Sequence, residues 1–86
     1  QLIKIFHLDT SHEKCLTASQ ECALKLKHKL PKKIEVLGPF ANYPAKIRSK
    51  YRYNIILKVP LNFNNQKIFK LIPNDFIIDI EPESIN

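Results

Sequence analysis

The sequence predicts an α+β fold, four strands and two helices in the order β-α-β-β-α-β, and three observations carry that prediction. First, residues 51–59 alternate: Tyr51, Tyr53, Ile55, Leu57 and Val59 fall on one face, with Arg52, Asn54, Ile56 and Lys58, preceded by Lys50, on the other. A period of two in β-branched and aromatic residues marks a half-buried strand. Second, Thr10-Ser11-His12-Glu13 matches a capping box, and Cys15, Ala18, Cys22 and Leu26 follow it at helical spacing. Third, Pro31, Gly38-Pro39, Pro44, Pro60, Pro73 and Pro82 separate the apolar segments from one another.

In order along the chain, Leu2–Leu8 is the first strand. Ile3 and Ile5 lie on one side and Leu2, Phe6 and Leu8 on the other, and apolar residues on both faces suggest a central strand. The first helix starts with Thr10 as N-cap and Glu13 reaching back to it. It runs to about Lys29, and its apolar stripe is widened by Ala23 and Leu30. Lys25, Lys27 and Lys29 lie in its last turns, where they favour the helix dipole, and Pro31 ends it. Ile34–Leu37 is a short second strand closed by Gly38-Pro39. Residues 38–50 are expected to form a long basic loop that still holds Phe40, Tyr43 and Ile47. The alternating third strand stops at Pro60. Asn62 is the expected N-cap of a helix from about Phe63 to Leu71, with Phe63, Ile68, Leu71 and Ile72 as its apolar side. After Pro73-Asn74, Phe76, Ile78 and Ile80 alternate with Asp75, Ile77 and Asp79 in a last strand that Pro82 ends. This order is the ferredoxin-like split βαβ: a four-stranded antiparallel sheet with two helices on one face. Right-handed crossovers place the first and third strands in its centre. The other face is then open and carries Arg52, Ile56 and Lys58.

Eighty-six residues make one small domain. The chain starts at Gln1 and has no methionine, from which a piece of a longer protein is expected. There is no apolar run long enough to span a bilayer and no signal-peptide pattern. The net charge of +6 is unevenly placed. Residues 25–70 hold twelve of the fourteen Lys and Arg and one acid, Glu35, whereas residues 71–86 hold four acids and no base. Such asymmetry suggests that the middle of the chain faces a polyanion, although lysines on a helix also serve simply to solvate it.

Little in the sequence points to catalysis. A single glycine excludes a Gly-rich phosphate loop. His7, His12 and His28 share no metal-ligand spacing and are expected at the surface or at an edge. Asp75, Asp79, Glu81 and Glu83 lack the ordered spacing of a cation site and are expected as a solvated acidic end. Cys15 and Cys22 lie on one side of the first helix, roughly 10 Å apart along its axis. That is too far for a disulfide and too sparse for a metal centre. They are expected as reduced core thiols, which points to the cytoplasm. Tyr51-Arg52-Tyr53 has two readings. Aromatics beside bases can stack on nucleobases, or both tyrosines pack under the helices while Arg52 alone points out; the shared parity with Ile55, Leu57 and Val59 favours the second.

Leu37-Gly38-Pro39, Pro44-Ala45-Lys46-Ile47-Arg48, Tyr51-Arg52-Tyr53, Ile55-Ile56-Leu57-Lys58 and Ile78-Asp79-Ile80-Glu81-Pro82 together resemble the C-terminal end of the primosomal helicase PriA (primosomal protein N-prime). The resemblance covers residues 34–83 well and residues 1–33 in outline. Ser49 and Lys50 stand where that family often has Gly-Arg, so the turn into the third strand is expected to differ. Asn62 stands where some members have a basic residue, and Glu81 replaces a second Asp. The resemblance implies that residues 1–86 are the C-terminal domain of a longer helicase chain. The parent is then an ATP-dependent DNA helicase that acts at stalled forks and loads the replicative helicase. ATP, magnesium and zinc are implied for other parts of that parent, with no cofactor and no catalysis in this domain.

The implied partners are branched or forked DNA, the acidic tail of single-stranded DNA-binding protein, and the upstream helicase core in the same chain, with no membrane. Lys46, Arg48, Lys50, Arg52 and Lys58 are the candidate DNA contacts, and Asn62 and Gln66 the candidate contacts for the protein tail. A free-standing RNA-binding or ribosomal protein of the same fold is the alternative. An acylphosphatase-type hydrolase is disfavoured by the missing glycine-rich anion loop.

Overall fold

Parity decides the first strand. In β1 (Leu2–Asp9) the odd positions Ile3, Ile5 and His7 are buried, whereas Leu2 and Leu8 are exposed on the other side. The structure, a computed structural model, describes residues 1–81, and of residues 43–47 and 81 the backbone only. The predicted stop at Pro82 and the acid Glu83 lie outside the described residues.

Helix α1 (His12–Lys29) begins one residue later than the capping box implies. Ser11, not Thr10, is its N-cap, and its hydroxyl accepts from the Lys14 N–H at 3.3 Å. The cause is Asp9, whose carboxylate accepts the Ser11 N–H at 2.9 Å and fixes the entry of the chain. The buried stripe is Cys15, Ser19, Cys22, Ala23 and Leu26. Ser19 thus takes a place that periodicity gave to Ala18, which is only partly buried against the core. Leu30 caps the helix, its N–H bonded to the Leu26 carbonyl.

The long loop expected over residues 38–50 is instead strand. β2 runs over Glu35–Ile47 and pairs antiparallel with β3 (Lys50–Lys58) through two register breaks, between Leu37 and Phe40 and between Ala41 and Lys46. Pro39 and Pro44 sit in those breaks. β2 is an edge strand, so a proline that cannot donate a ladder bond is tolerated there. Gly38 is required at the first break: its φ is +104°, and a Cβ there would stand 2.8 Å from the Asn54 carbonyl oxygen. The loop is reduced to Arg48 and Ser49, which join Ile47 to Lys50.

α2 is shorter than predicted, a single turn over Gln66–Phe69. Asn62 is not its cap. Asn64 and Asn65 intervene, and the Asn64 side chain accepts the Gln66 N–H at 3.0 Å, a local alternative to helix. The segment around it is built from tight turns, such as Lys67 N–H to Asn64 O and Leu71 N–H to Ile68 O. Ile68 is nevertheless fully buried. β4 (Ile77–Glu81) follows, with Phe76 buried just before it.

The sheet order is β2-β3-β1-β4 with all neighbours antiparallel, so the first and third strands are central as predicted. One core lies between the sheet and the helices: Ile3, Ile5, Ile55 and Leu57 meet Cys22, Leu26 and Ile68. Among the described residues no helix covers the opposite sheet face. Among the described residues no helix is long and apolar enough to cross a membrane.

Candidate nucleic-acid interface

The β2–β3 hairpin positions the basic residues. A two-residue turn whose central residues both have positive φ matches the right-handed twist of the strands it joins, and here Arg48 has φ 50° and Ser49 φ 67°. The turn presents Arg48 at the tip. Lys50 and Arg52 follow on the open face, because they share parity with Asn54, Ile56 and Lys58. Leu8 lies directly opposite Arg52 in β1. Leu8, Arg48, Lys50 and Arg52 line a shallow recess of about 320 Å³.

Arg52 is held in place. Its guanidinium carbon lies 3.6 Å above the Phe6 ring, and its Nε donates to Asn54 Oδ1 at 2.9 Å. Asn54 in turn donates to Asn42 Oδ1 at 3.1 Å. A guanidinium stacked on a phenyl face keeps its outer N–H groups available and loses little freedom when they bind an anion. Among the described residues no carboxylate pairs with Arg48, Lys50 or Arg52.

Three of the five predicted basic residues therefore converge. Lys58 does not join them. It stands at the far end of β3, six residues or roughly 20 Å from Arg52, opposite Glu35, whose carboxylate is 3.9 Å from its ammonium. For Lys46 the backbone pairs with Tyr51, and its side chain lies outside the described ones. Asn62 and Gln66 are both exposed, Asn62 in a turn and Gln66 at the start of α2. They belong to the helical side of the molecule, not to the open face.

The tyrosines follow their parity. Tyr51 and Tyr53 are half-buried on the helical side, where the exposed His12 at the start of α1 meets both: Nε2 lies 2.7 Å from the Tyr53 hydroxyl, and the ring lies edge-on to Tyr51 at 5.1 Å. Neither tyrosine belongs to the basic recess.

His7 is neither the surface nor the edge residue expected, since it lies buried on a central strand. Its odd position turns it into the core, where it is 8% exposed and stacked on Phe76 at 5.0 Å. Asp9 and Asp75 flank it at 3.5 and 3.7 Å, so Asp75 is more than part of a solvated acidic end. The Ser11 N–H holds the Asp9 carboxyl below its ordinary pKa, with a smaller contribution from His7.

Sequence reasoning passed over the aromatic residues of the open face. Phe6 was legible, since its even number opposes it to Ile3 and Ile5. Phe40 was not, because the register break at Gly38-Pro39 resets the parity of β2.

Among the described residues no group of three or more His, Cys, Asp and Glu is placed to hold an ion. Cys15 and Cys22 are free and buried, and burial pushes both thiols up, Cys22 to about 11. A thiol in that state is the opposite of a thiolate ligand.

No curated protein matches the chain. The family model of the primosomal protein N C-terminal domain matches residues 3–75. A strand-helix-strand-strand-helix-strand chain matched over most of its length in this way belongs to the family of primosomal protein N C-terminal domains.

Proposed function

We propose that the chain is a non-catalytic DNA-binding and docking module of a replication-restart helicase. The observation that carries the reading is the convergence of Arg48, Lys50 and Arg52 on one end of the open sheet face, without carboxylate partners among the described residues and with Arg52 fixed on Phe6. Cations held in this way neutralise backbone phosphates and release counterions, whatever the base sequence. Forked or branched DNA is the proposed ligand. Asn62 and Gln66 are the proposed contacts for the acidic tail of single-stranded DNA-binding protein, and the helicase core is the proposed neighbour in the parent. ATP, magnesium and zinc belong, on this reading, to that parent. The chain itself turns over no nucleotide, and DNA-stimulated ATP hydrolysis by a clean preparation would contradict that.

The test is a titration of labelled forked DNA over a salt series. Affinity is expected to fall steeply with salt, and Arg48→Ala with Lys50→Ala to flatten the slope of log K against log salt by about 0.9 for each phosphate contact removed. Binding that ignores salt, or that the double substitution leaves untouched, overturns the reading.

A further inference from the structure

Directly opposed residues in neighbouring strands share a face, so the register lays out the open side of the sheet as rows. Phe40 of β2 opposes Asn54 of β3, Asn54 opposes Phe6 of β1, and Phe6 opposes Ile77 of β4. One row therefore crosses all four strands, apolar in β2, β1 and β4 and carrying the amide of Asn54 in β3. Next to it, toward the hairpin, runs the cationic row of Arg52 and Lys50 with Arg48 at the tip and Leu8 among them.

The two phenyl rings differ. Phe6 is half-buried and its face is taken by Arg52. Phe40 is 52% exposed and Ile77 46%. An exposed phenyl ring in a row with Phe6 and Ile77, with Arg52 in the next row and Lys50 and Arg48 following toward the tip, marks a binding surface and not a lapse of packing. The charge of the adjoining row selects a polyanion. A sheet four strands wide enters no groove of a duplex, so a base reaches Phe40 only when it is unpaired.

We propose that the open face takes single-stranded DNA, with a base stacked on Phe40 and the neighbouring phosphates on Arg52, Lys50 and Arg48. Asn54, directly opposite Phe40, accepts from Arg52 Nε and donates to Asn42 Oδ1, which ties the row of the stacking ring to the phosphate anchor. The proposal rests on the DNA reading given above and adds to it which form of DNA is bound and by which ring.

The test uses the 86-residue chain at low salt with a short oligothymidylate, an abasic oligomer of the same length, and the matching oligouridylate. Removing one stacking ring is expected to weaken oligothymidylate about tenfold. Phe40→Ala shows that loss, leaves the abasic oligomer and the salt slope unchanged, and is rescued by Phe40→Tyr. Arg48→Ala with Lys50→Ala weakens both DNA oligomers alike. If Phe40→Ala weakens oligothymidylate no more than the abasic oligomer while both still bind in a salt-dependent way, the stacking proposal falls and the phosphate reading survives. If no oligomer and no forked DNA binds, both fall. Tighter binding of oligouridylate than of oligothymidylate overturns the choice of DNA. A dimer seen by sedimentation that Phe40→Ala dissolves makes the face a protein interface and overturns the proposal too.

Discussion

Ser49 and Gly38 both have positive φ, for different reasons. Ser49 sits at φ 67°, a conformation that costs a side-chain-bearing residue roughly 1–2 kcal/mol. Glycine there removes that cost but adds disorder to the unfolded chain. Ser49→Gly is therefore expected to raise stability by about 0.5–1 kcal/mol, read as a higher urea midpoint. Gly38 is the reverse case. Its φ is +104°, and the Asn54 carbonyl oxygen lies only 2.8 Å from where an alanine methyl would stand. Gly38→Ala is accordingly expected to cost roughly 2 kcal/mol or more. A variant melting with the wild type would show that the break in β2 does not depend on glycine. The turn at Arg48-Ser49 was hidden in the sequence because such turns are usually announced by Asn-Gly or Asp-Gly. Here the nearby Pro44 pointed to a loop instead.

At the scale of elements, β3 separates two jobs by parity. Leu57 is fully buried, and Leu57→Ala is expected to cost about 2–5 kcal/mol through the cavity it leaves. Arg52 on the open face stacks on Phe6 and bonds Asn54, so Arg52→Ala is expected to cost about 1 kcal/mol, more than an isolated surface residue but less than a core one. Urea melts of the two variants check the order, and a reversal would mean that the face assignment is wrong. β3 was legible because it is central and regular, so nothing interrupts its period. β2 was legible only over its first residues, because two breaks and two prolines erase alternation on an edge. The second helix was over-predicted because Phe63, Ile68, Leu71 and Ile72 are apolar for the sake of the core, and the turns around Asn64 and Asn65 deliver them there without a full helix. The basic recess was legible as a charge cluster, but only the fold shows that Lys58 stands apart from it.

The whole molecule closes around thiols. Cys15 is fully buried and Cys22 nearly so, and burial keeps both protonated well above neutral pH. At about pH 8, just below the ordinary thiol pKa, a disulfide exchange reagent is therefore expected to label neither until the chain unfolds, and the labelling rate to follow unfolding as urea is added. Immediate labelling without urea would place the thiols outside the core. The linkage has a definite sign. Cys22 has an ordinary pKa of 9.0 when unfolded and about 11 when folded, so its contribution is complete below the unfolded value and is lost as pH climbs toward the folded one. The urea midpoint of the wild type should fall over that window more than that of Cys22→Ala. The topology that builds this core was legible from element order alone, since the handedness of crossovers leaves few ways to arrange two strand-helix-strand units.

The two edges of the sheet are unlike, and this governs how copies of the molecule can meet. β2 is broken twice and carries two prolines, so it offers no continuous row of donors and acceptors to a newcomer. β4 is a short strand paired, among the described residues, with β1 alone, and without a register break. Growth of a continuous intermolecular sheet needs a joining site at both rims. With one rim disabled, edge-to-edge joining through β4 satisfies itself in a symmetric pair and has nowhere further to extend. The irregularities that disguised β2 as a loop thus act as a chain terminator against fibril formation.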